Sequence, residues 1–521
     1  MHALTRVVTS LESAARDASA IAAGVPSRAL MQRAGAAAAS EIALRVADRL
    51  EHGVLVLAGP GNNGGDAWVV ARALGAVGVR VRVVEPVEAK TDDARAEREL
   101  FGGAIDTWDG QSSFDRGEAL VVDGLLGTGA SGAPRGPIAA AIEGMTAMRS
   151  RGAFIVALDL PSGLDADATA PAGAFTTDLT LTFGTLKRAH LVHRARCGAV
   201  VALDIGLGNH AQLDDGAPCC VDERWVAEQV PPIDADAHKG TRKKLAIVGG
   251  APGMAGAAML AARAALRSGI GMVKLVVAPE SMGPVQEGEP YALAAPWSAN
   301  VATSVANWAD AIVIGPGLGN TQESRALVER ILGAFDGPVL LDADALNVFA
   351  GEQAALAKAI GKRAALITPH PAELARLTGV SVDEVLAQRF EIGARVAGAI
   401  GAAVLLKGVP TVVSQRLRPL KSMGSDSIDC LVSATGNAAL ATAGSGDVLS
   451  GIAGTLLAQT GDPLVAGAAG AWIHGRAAEL ATTTARGATL EDVVAALRDS
   501  WHFRRAPLRY PVIAELPPLS S

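Results

Sequence analysis

The sequence predicts two α/β units, each built on an open and mainly parallel sheet. Three observations carry that reading. Short apolar runs that suit strands buried on both faces alternate with Ala-rich stretches of helical spacing. Glycine-rich or acidic loops follow many of the apolar runs, as at the strand C-termini of doubly wound sheets. A chain of 521 residues exceeds one ordinary domain and suits two or three.

The first half opens with helical spacing over Leu11 to Ala23 and Arg28 to Leu50. Gly53 to Ala58 reads as a strand buried on both faces, followed by a glycine loop and a helix from about Asp66. Further strands are expected at Val79 to Val84, Leu120 to Asp123, Phe154 to Asp159, Leu179 to Phe183 and Ala199 to Asp204. Periodicity fades between about Gly208 and Asp236, where Pro218, Pro231 and Pro232 stand, so domains of about 1–215 and 225–505 are expected. The second half places strands at Lys244 to Val248, Val273 to Val277, Ala311 to Ile314, Val339 to Asp342, Ala365 to Thr368 and Ala403 to Leu406, with a helix over Ala255 to Arg267. The halves share no repeat. The tail after Trp501 reads as an extended terminal segment.

Composition narrows the function classes. Apolar residues make up 50% and charged residues 19%, which gives a large core and excludes extensive disorder. A net charge of −7 argues against a nucleic-acid partner, so anionic nucleotides must be held by local amide nests. Cys197, Cys219, Cys220 and Cys430 form no zinc-type spacing and read as thiols of a reducing compartment. No run of about 20 apolar residues is free of polar or turn residues. The expectation is a soluble, cytoplasmic protein with no membrane partner.

Two groups of loops carry chemistry. In the first half, Gly59-Pro60-Gly61-Asn62-Asn63-Gly64-Gly65-Asp66 follows a strand and opens a helix. Its glycines permit tight turns, its Asn and Asp oxygens suit a cation or a ribose, and the helix start offers amides to phosphate. The other reading is a plain turn with Asp66 as helix cap. Loops at Asp123 to Gly129 and Asp159 to Asp165 follow neighbouring strands. A parallel sheet would gather Asp66, Asp123 and Asp159 at one edge, where a cation or a proton would relieve their repulsion. Lys187 stands near the same edge, as a site lysine or as a solvated surface group.

These pieces, with Asp178 to Lys187, resemble the epimerase domain of the bifunctional NAD(P)H-hydrate repair enzymes, from about Leu30 to Gly208. The resemblance implies a Rossmann-like three-layer αβα fold. It implies that Asn62, Asn63, Gly64, Gly65 and Asp66 contact substrate, with Gly127, Thr128, Gly129, Ala130, Ser131, Gly132 and Ala133. It implies K⁺ on Asn63, Asp123 and Ser162, and Asp159 as the substrate-contacting acid that transfers a proton. Ala67 stands where the family's glycine is expected.

In the second half, Gly249 to Ala258, Gly315 to Gly319, Asp342 to Asn347, Thr368 to Glu373 and Lys407 to Thr411 each follow a predicted strand. A row of polar loops at successive strand ends suits one ligand crevice. Gly436 to Gly451 adds Gly444-Ser445-Gly446-Asp447 at a helix start. Its amides form an anion site, and Asp447 could deprotonate an alcohol during phosphoryl transfer. The alternative is that Asp447 is only a cap. Lys407 can neutralise phosphate and Thr411 can hydrogen-bond it; His370 is a substrate contact or a buried structural histidine.

From about His238 to Leu497 these motifs resemble the ribokinase-like superfamily, and within it the nucleotide-dependent NAD(P)H-hydrate dehydratases. The resemblance implies that Ala257, Gly317, His370 and Asp447 contact the hydrated dinucleotide, and that Lys407, Gly408, Val409, Pro410, Thr411 and Gly446 contact the nucleotide. Ala372 and Ala443 replace glycines usual in the family. The implied activity is metabolite repair. One site interconverts the R and S forms of hydrated NADH or NADPH. The other phosphorylates the S hydroxyl with ADP and Mg²⁺ and eliminates phosphate, giving AMP, phosphate and NAD(P)H. A homo-oligomer is also implied. A small-molecule kinase with a stable product and a non-catalytic dinucleotide sensor are the alternatives.

Overall fold

The computed structural model describes residues 4–519 except 109, 111–112, 168–174, 209–215, 416–428, 483, 485 and 505. The chain divides into two compact units. One comprises Thr5–Ala217 with Pro507–Leu519, the other chiefly Pro218–Ala506. The change of unit falls inside the Pro-bearing stretch where periodicity fades.

The first unit is an eight-stranded sheet in the order Val512–Leu516, Ala199–Leu203, Leu179–Phe183, Phe154–Leu158, Leu120–Gly124, Val54–Ala58, Val81–Glu85 and Ala104–Thr107. Every neighbouring pair is parallel except the first. Val54–Ala58 is buried at all five positions, as an all-apolar central strand requires. Helices Ser27–Arg45 and Asn62–Ala76 pack on one face through Ala38, Ile42, Trp68 and Val70. Helix Gly136–Ser150 supplies Ile142, Met145 and Met148 to a separate core cluster with Leu55, Leu57 and Val121. Alternate residues of the central strand thus enter the two clusters, which makes the three layers. Strand Thr5–Val8 pairs in parallel with Leu186–Lys187, and helix Ser10–Ala22 follows it, started by a Thr9–Glu12 capping box.

The tail differs from expectation. Val512–Leu516 is the antiparallel edge strand of the first unit, not a loose extension. Glu515 is held by Arg45 at 2.9 Å. The strand is short and buried only at its two ends, which leaves no period-two pattern to mark it in sequence.

The second unit's sheet runs Leu293–Pro296, Met272–Val277, Lys244–Val248, Ala311–Ile314, Val339–Leu341, Ala365–Ile367, Ala403–Leu406, Thr411–Ser414, Cys430–Ser433 and Cys219–Cys220. It is parallel as far as Ala403–Leu406, and Thr411–Ser414 is antiparallel to both neighbours. Helices Ala255–Arg267, Ser445–Thr460 and Pro463–Ala481 cover one face. Gly451 and Gly470 permit close helix contact, since a β-carbon would come within 2.1 Å of the Ala261 carbonyl and 3.0 Å of Ala453 Cβ.

Candidate active sites

In the first unit the chain leaves strand Val54–Ala58 toward Val81–Glu85 on one side, while Leu120–Gly124 adjoins it on the other. Ligand crevices form at such a reversal. The walls are close: a β-carbon on Gly59 would lie 1.9 Å from the Leu125 carbonyl, and one on Gly64 1.9 Å from the Gly59 carbonyl. The helix begins at Asn62 with Gly61 as its cap, four residues before the expected start. Asn62, Asn63, Gly64 and Gly65 are therefore its first turn, because packing against Gly59 and Met31 outweighs the low helix propensity of glycine. Asp66 sits inside the helix, so the cap reading is excluded. Ala67 fills the space beside Gly124, where a second β-carbon would lie only 2.4 Å away.

Asn63, Asp123 and Ser162 converge on the peptide of Leu126. Asn63 Nδ2 donates to the Leu126 carbonyl at 2.9 Å, and the Leu126 amide donates to Ser162 Oγ at 2.9 Å. Ser162 Oγ donates to Asp123 Oδ1 at 2.6 Å, and the Ser162 amide donates to Oδ2 at 2.8 Å. Burial pushes the Asp123 carboxyl up to about 6 against these donors. Asn63 Oδ1 is buried without a hydrogen-bond partner.

Asp159 stands at φ 65°, sparsely populated by residues other than glycine. Its Oδ2 accepts from the Thr128 amide at 2.9 Å and from the Thr128 hydroxyl. Its Oδ1 is 2.7 Å from Lys187 Nζ. Burial alone would raise this carboxyl, but Lys187 and the Thr128 donors outweigh it and hold it below the usual range. Lys187 is only 2% exposed, which overturns the surface reading. Asp66 is pushed well up by burial and by the charge of Asp159. The expected cluster of Asp66, Asp123 and Asp159 around one cation is not seen: among the described residues no three His, Cys, Asp or Glu form a metal-holding group. Donors from Ser162 relieve Asp123, the Lys187 ammonium and the Thr128 donors relieve Asp159, and Asp66 is driven toward its protonated form. Beyond Gly127 and Thr128, the residues Gly129, Ser131, Gly132 and Ala133 form an exposed rim, with Ala130 bonded back to Gly127.

In the second unit the five polar loops follow five strands that are consecutive neighbours in the sheet. They interlock: the Gly250 amide donates to the Pro316 carbonyl at 2.9 Å, and a β-carbon on Gly317 would lie 3.1 Å from Ala257 Cβ. Gly315, at φ 131°, has no room for a side chain, since a β-carbon would lie 1.8 Å from the Asp342 carbonyl. Lys407 Nζ donates to Asp342 Oδ1 at 2.8 Å and lies 3.8 Å from Glu373. Burial opposes the lysine charge, but Asp342 and Glu373 prevail and its pKa is raised. His370 is not buried. It caps helix Pro371–Thr378 by accepting from Ala372 and Glu373 amides, and its pKa is lowered chiefly by partial burial. Thr411 donates to the Gly408 carbonyl at 3.0 Å and so closes the Lys407-Gly408-Val409-Pro410 loop on itself.

Asp447 is the third residue of helix Ser445–Thr460, whose cap is Gly444 at φ 91°. The cap reading is therefore excluded here too. Among the described residues nothing accepts from the Gly446 and Asp447 amides, so both are free for an anion. A β-carbon on Gly446 would lie 3.1 Å from Lys407 Nζ, which puts the loop and the ammonium at one point. Burial, then the charge of Asp342, pushes Asp447 up to about 7, the range that suits a general base at neutral pH.

A family model described as NAD(P)H-hydrate dehydratase matches residues 245–497, and one described as YjeF-related protein N-terminus matches residues 27–189. A bifunctional NAD(P)H-hydrate repair enzyme of Escherichia coli (strain K12) is 36% identical over 438 residues, which covers 82% of this chain and 80% of the relative. The chain belongs to that family. Another bifunctional NAD(P)H-hydrate repair enzyme, of Salinibacter ruber, is 35% identical and covers 88% of each chain. A crystal structure of a Bacillus subtilis ADP/ATP-dependent NAD(P)H-hydrate dehydratase with ATP and Mg²⁺ is 30% identical, covers 54% of this chain and 96% of its own, and superposes with a TM-score of 0.45.

In this repair-enzyme chain several polar groups of the two candidate sites escaped the sequence reading. Asp342 and Glu373 approach Lys407 and Ser450 donates to Asp342, yet the first two stood only inside loops and Ser450 inside an Ala- and Gly-rich helix. Asp342 ends a buried strand, which was the available signal. The Leu126 carbonyl is main chain and has none.

Proposed function

We propose that the chain repairs hydrated NADH and NADPH at two sites. In the first unit Asp159 takes up and returns the proton as the R and S forms interconvert. In the second, the S hydroxyl is phosphorylated and phosphate then leaves, restoring NADH or NADPH, with ADP as the donor and AMP and phosphate as products. Asp447 takes the hydroxyl proton, the Gly446 and Asp447 amides cradle the transferring group, and Lys407 neutralises it. The observation that carries the reading is Asp447 in a helix turn with free amides beside the Lys407 ammonium.

K⁺ suits the first site, because the orphaned Asn63 Oδ1 calls for a partner beside the oxygens of Asp123, Ser162 and Leu126. When bound it would neutralise charge where substrate phosphate meets the loop. Mg²⁺ usually travels on nucleotide phosphates and needs only one or two protein carboxylates, for which the half-buried Asp344, close enough to act on Asp447, is at hand. Domains of about 1–215 and 225–505, around the matched residues 27–189 and 245–497, with cytoplasmic residence and a homo-oligomeric assembly, complete the proposal. Among the described residues no helix is long and apolar enough to cross a membrane.

The test is recovery of reduced-nicotinamide absorbance from mixed R and S hydrated NADH with Mg²⁺, K⁺ and either ADP or ATP. Full recovery with ADP supports both activities and that donor. Recovery of the S fraction alone removes the epimerase assignment. An accumulating phosphorylated product turns the second unit into a kinase.

A further inference from the structure

The first unit holds a buried cation whose contacts go beyond pairing one acid. Lys187 Nζ is 2.7 Å from Asp159 Oδ1, donates to Thr182 Oγ1 at 2.8 Å, and donates to the Phe183 carbonyl at 3.2 Å. Thr182 Oγ1 in turn donates to Asp159 Oδ1 at 3.2 Å, so the ammonium grips the carboxylate directly and through a hydroxyl. His190 fixes both ends of the pair. The Lys187 amide donates to His190 Nδ1 at 3.0 Å, which leaves Nε2 as the protonated nitrogen, 2.7 Å from the Asp159 carbonyl oxygen. The main chain of Asp159, at its positive φ, is thus held at its carbonyl by His190 and at its amide by the Leu181 carbonyl at 2.7 Å.

The surroundings explain why such a grip is needed. Asp66 on helix Asn62–Ala76 and Asp17 on helix Ser10–Ala22 face the same pair, and His190, which burial lowers to about 4, contributes no charge at neutral pH. Arg16 on the Asp17 helix is directed to the Gly184 carbonyl. Lys187 is the ammonium that faces Asp159, Asp66 and Asp17 together.

We propose that Lys187 is a positioning residue of the epimerase reaction, which keeps the Asp159 carboxylate charged and oriented against the Thr128 edge of the crevice. The proposal rests on the reading of Asp159 as the proton-transfer group. It excludes a merely space-filling lysine, because without the cation the carboxyl would face two other acids in a dry setting and take up a proton.

The experiment uses the full chain and follows R-to-S interconversion from about pH 5.5 to 8.5. In the wild type the acid side of the profile is flat with respect to Asp159. In Lys187→Met the rate should fall about tenfold per pH unit below a new, higher midpoint, with KM for hydrated NADH changed less than about twofold. Lys187→Arg should restore the wild-type profile. A Lys187→Met profile parallel to wild type, or an Arg variant as impaired as Met, overturns the role. Should the Met variant not fold, the infrared difference between wild type and Asp159→Asn decides: a carboxylate band persisting at pH 4 is expected, and a protonated band at pH 5 overturns the proposal. Asp159→Asn also separates the two readings. If it keeps full epimerase activity, the assignment of Asp159 falls; if it is inactive while Lys187→Met behaves as wild type, only the role of Lys187 falls.

Discussion

Lys407 and Asp342 meet across an intervening strand. Nζ lies 2.8 Å from Oδ1, and the other carboxylate oxygen accepts the Ser450 hydroxyl at 2.7 Å. The strands that end at these two residues flank Ala365–Ile367, so one ion pair joins two loops of the crevice across the end of the strand between them.

Breaking that pair should cost both stability and nucleotide use. In Lys407→Met, Asp342 at 1% exposure loses its counter-charge, and one-sided removal of a buried partner costs about 3 kcal/mol. A lower melting temperature of the second unit and a raised KM for nucleotide are expected. Unchanged values of both would remove Lys407 from the site.

The dehydratase should show an acid limb set by Asp447. Burial and Asp342 raise its carboxyl to about 7, and a base must be ionised, so the rate should rise with pH up to that value and level off above it. Asp447→Asn should lower dehydratase kcat by roughly 100-fold or more and leave epimerisation intact. Turnover near wild type in that variant would refute the assignment.

Asn63 should govern the response to potassium. Asn63→Ala deletes the orphaned oxygen and also the 2.9 Å bond to the Leu126 carbonyl. Epimerase activity titrated with K⁺ should then lose its K⁺-dependent rise, while dehydratase activity stays constant. A preserved K⁺ response would place the ion elsewhere.

Gly124 and Ala67 should exchange a methyl. Gly124→Ala alone forces a β-carbon to 2.4 Å from Ala67 Cβ, a clash of the kind that costs about 1–3 kcal/mol. Adding Ala67→Gly should recover part of the loss, with the Asn63 and Leu57 carbonyls at 3.1 and 3.2 Å limiting the rest. Melting curves of the two variants test the coupling, and additive losses would contradict it.

The parallel strands were legible because all-apolar runs such as Leu55-Val56-Leu57 admit few other readings, and the loops were legible through glycine placed where backbones touch. Short edge elements were not. Ala104–Thr107, Leu293–Pro296 and Val512–Leu516 owe their form to a neighbouring strand rather than to their own pattern. The helix start at Asn62 was misplaced because propensity disfavours glycine and packing decided otherwise. The polar partners Thr182, His190 and Ser450 were missed because their function depends on residues many positions away.

The closing strand Val512–Leu516 makes the second unit, in chain order, an insertion within the first. On a ribosome the first unit would wait, its Ala199–Leu203 edge bare, until some three hundred further residues had been made. A gene cut after Ala217 would deliver that sheet without its cover, so no single cut in the sequence yields both units whole.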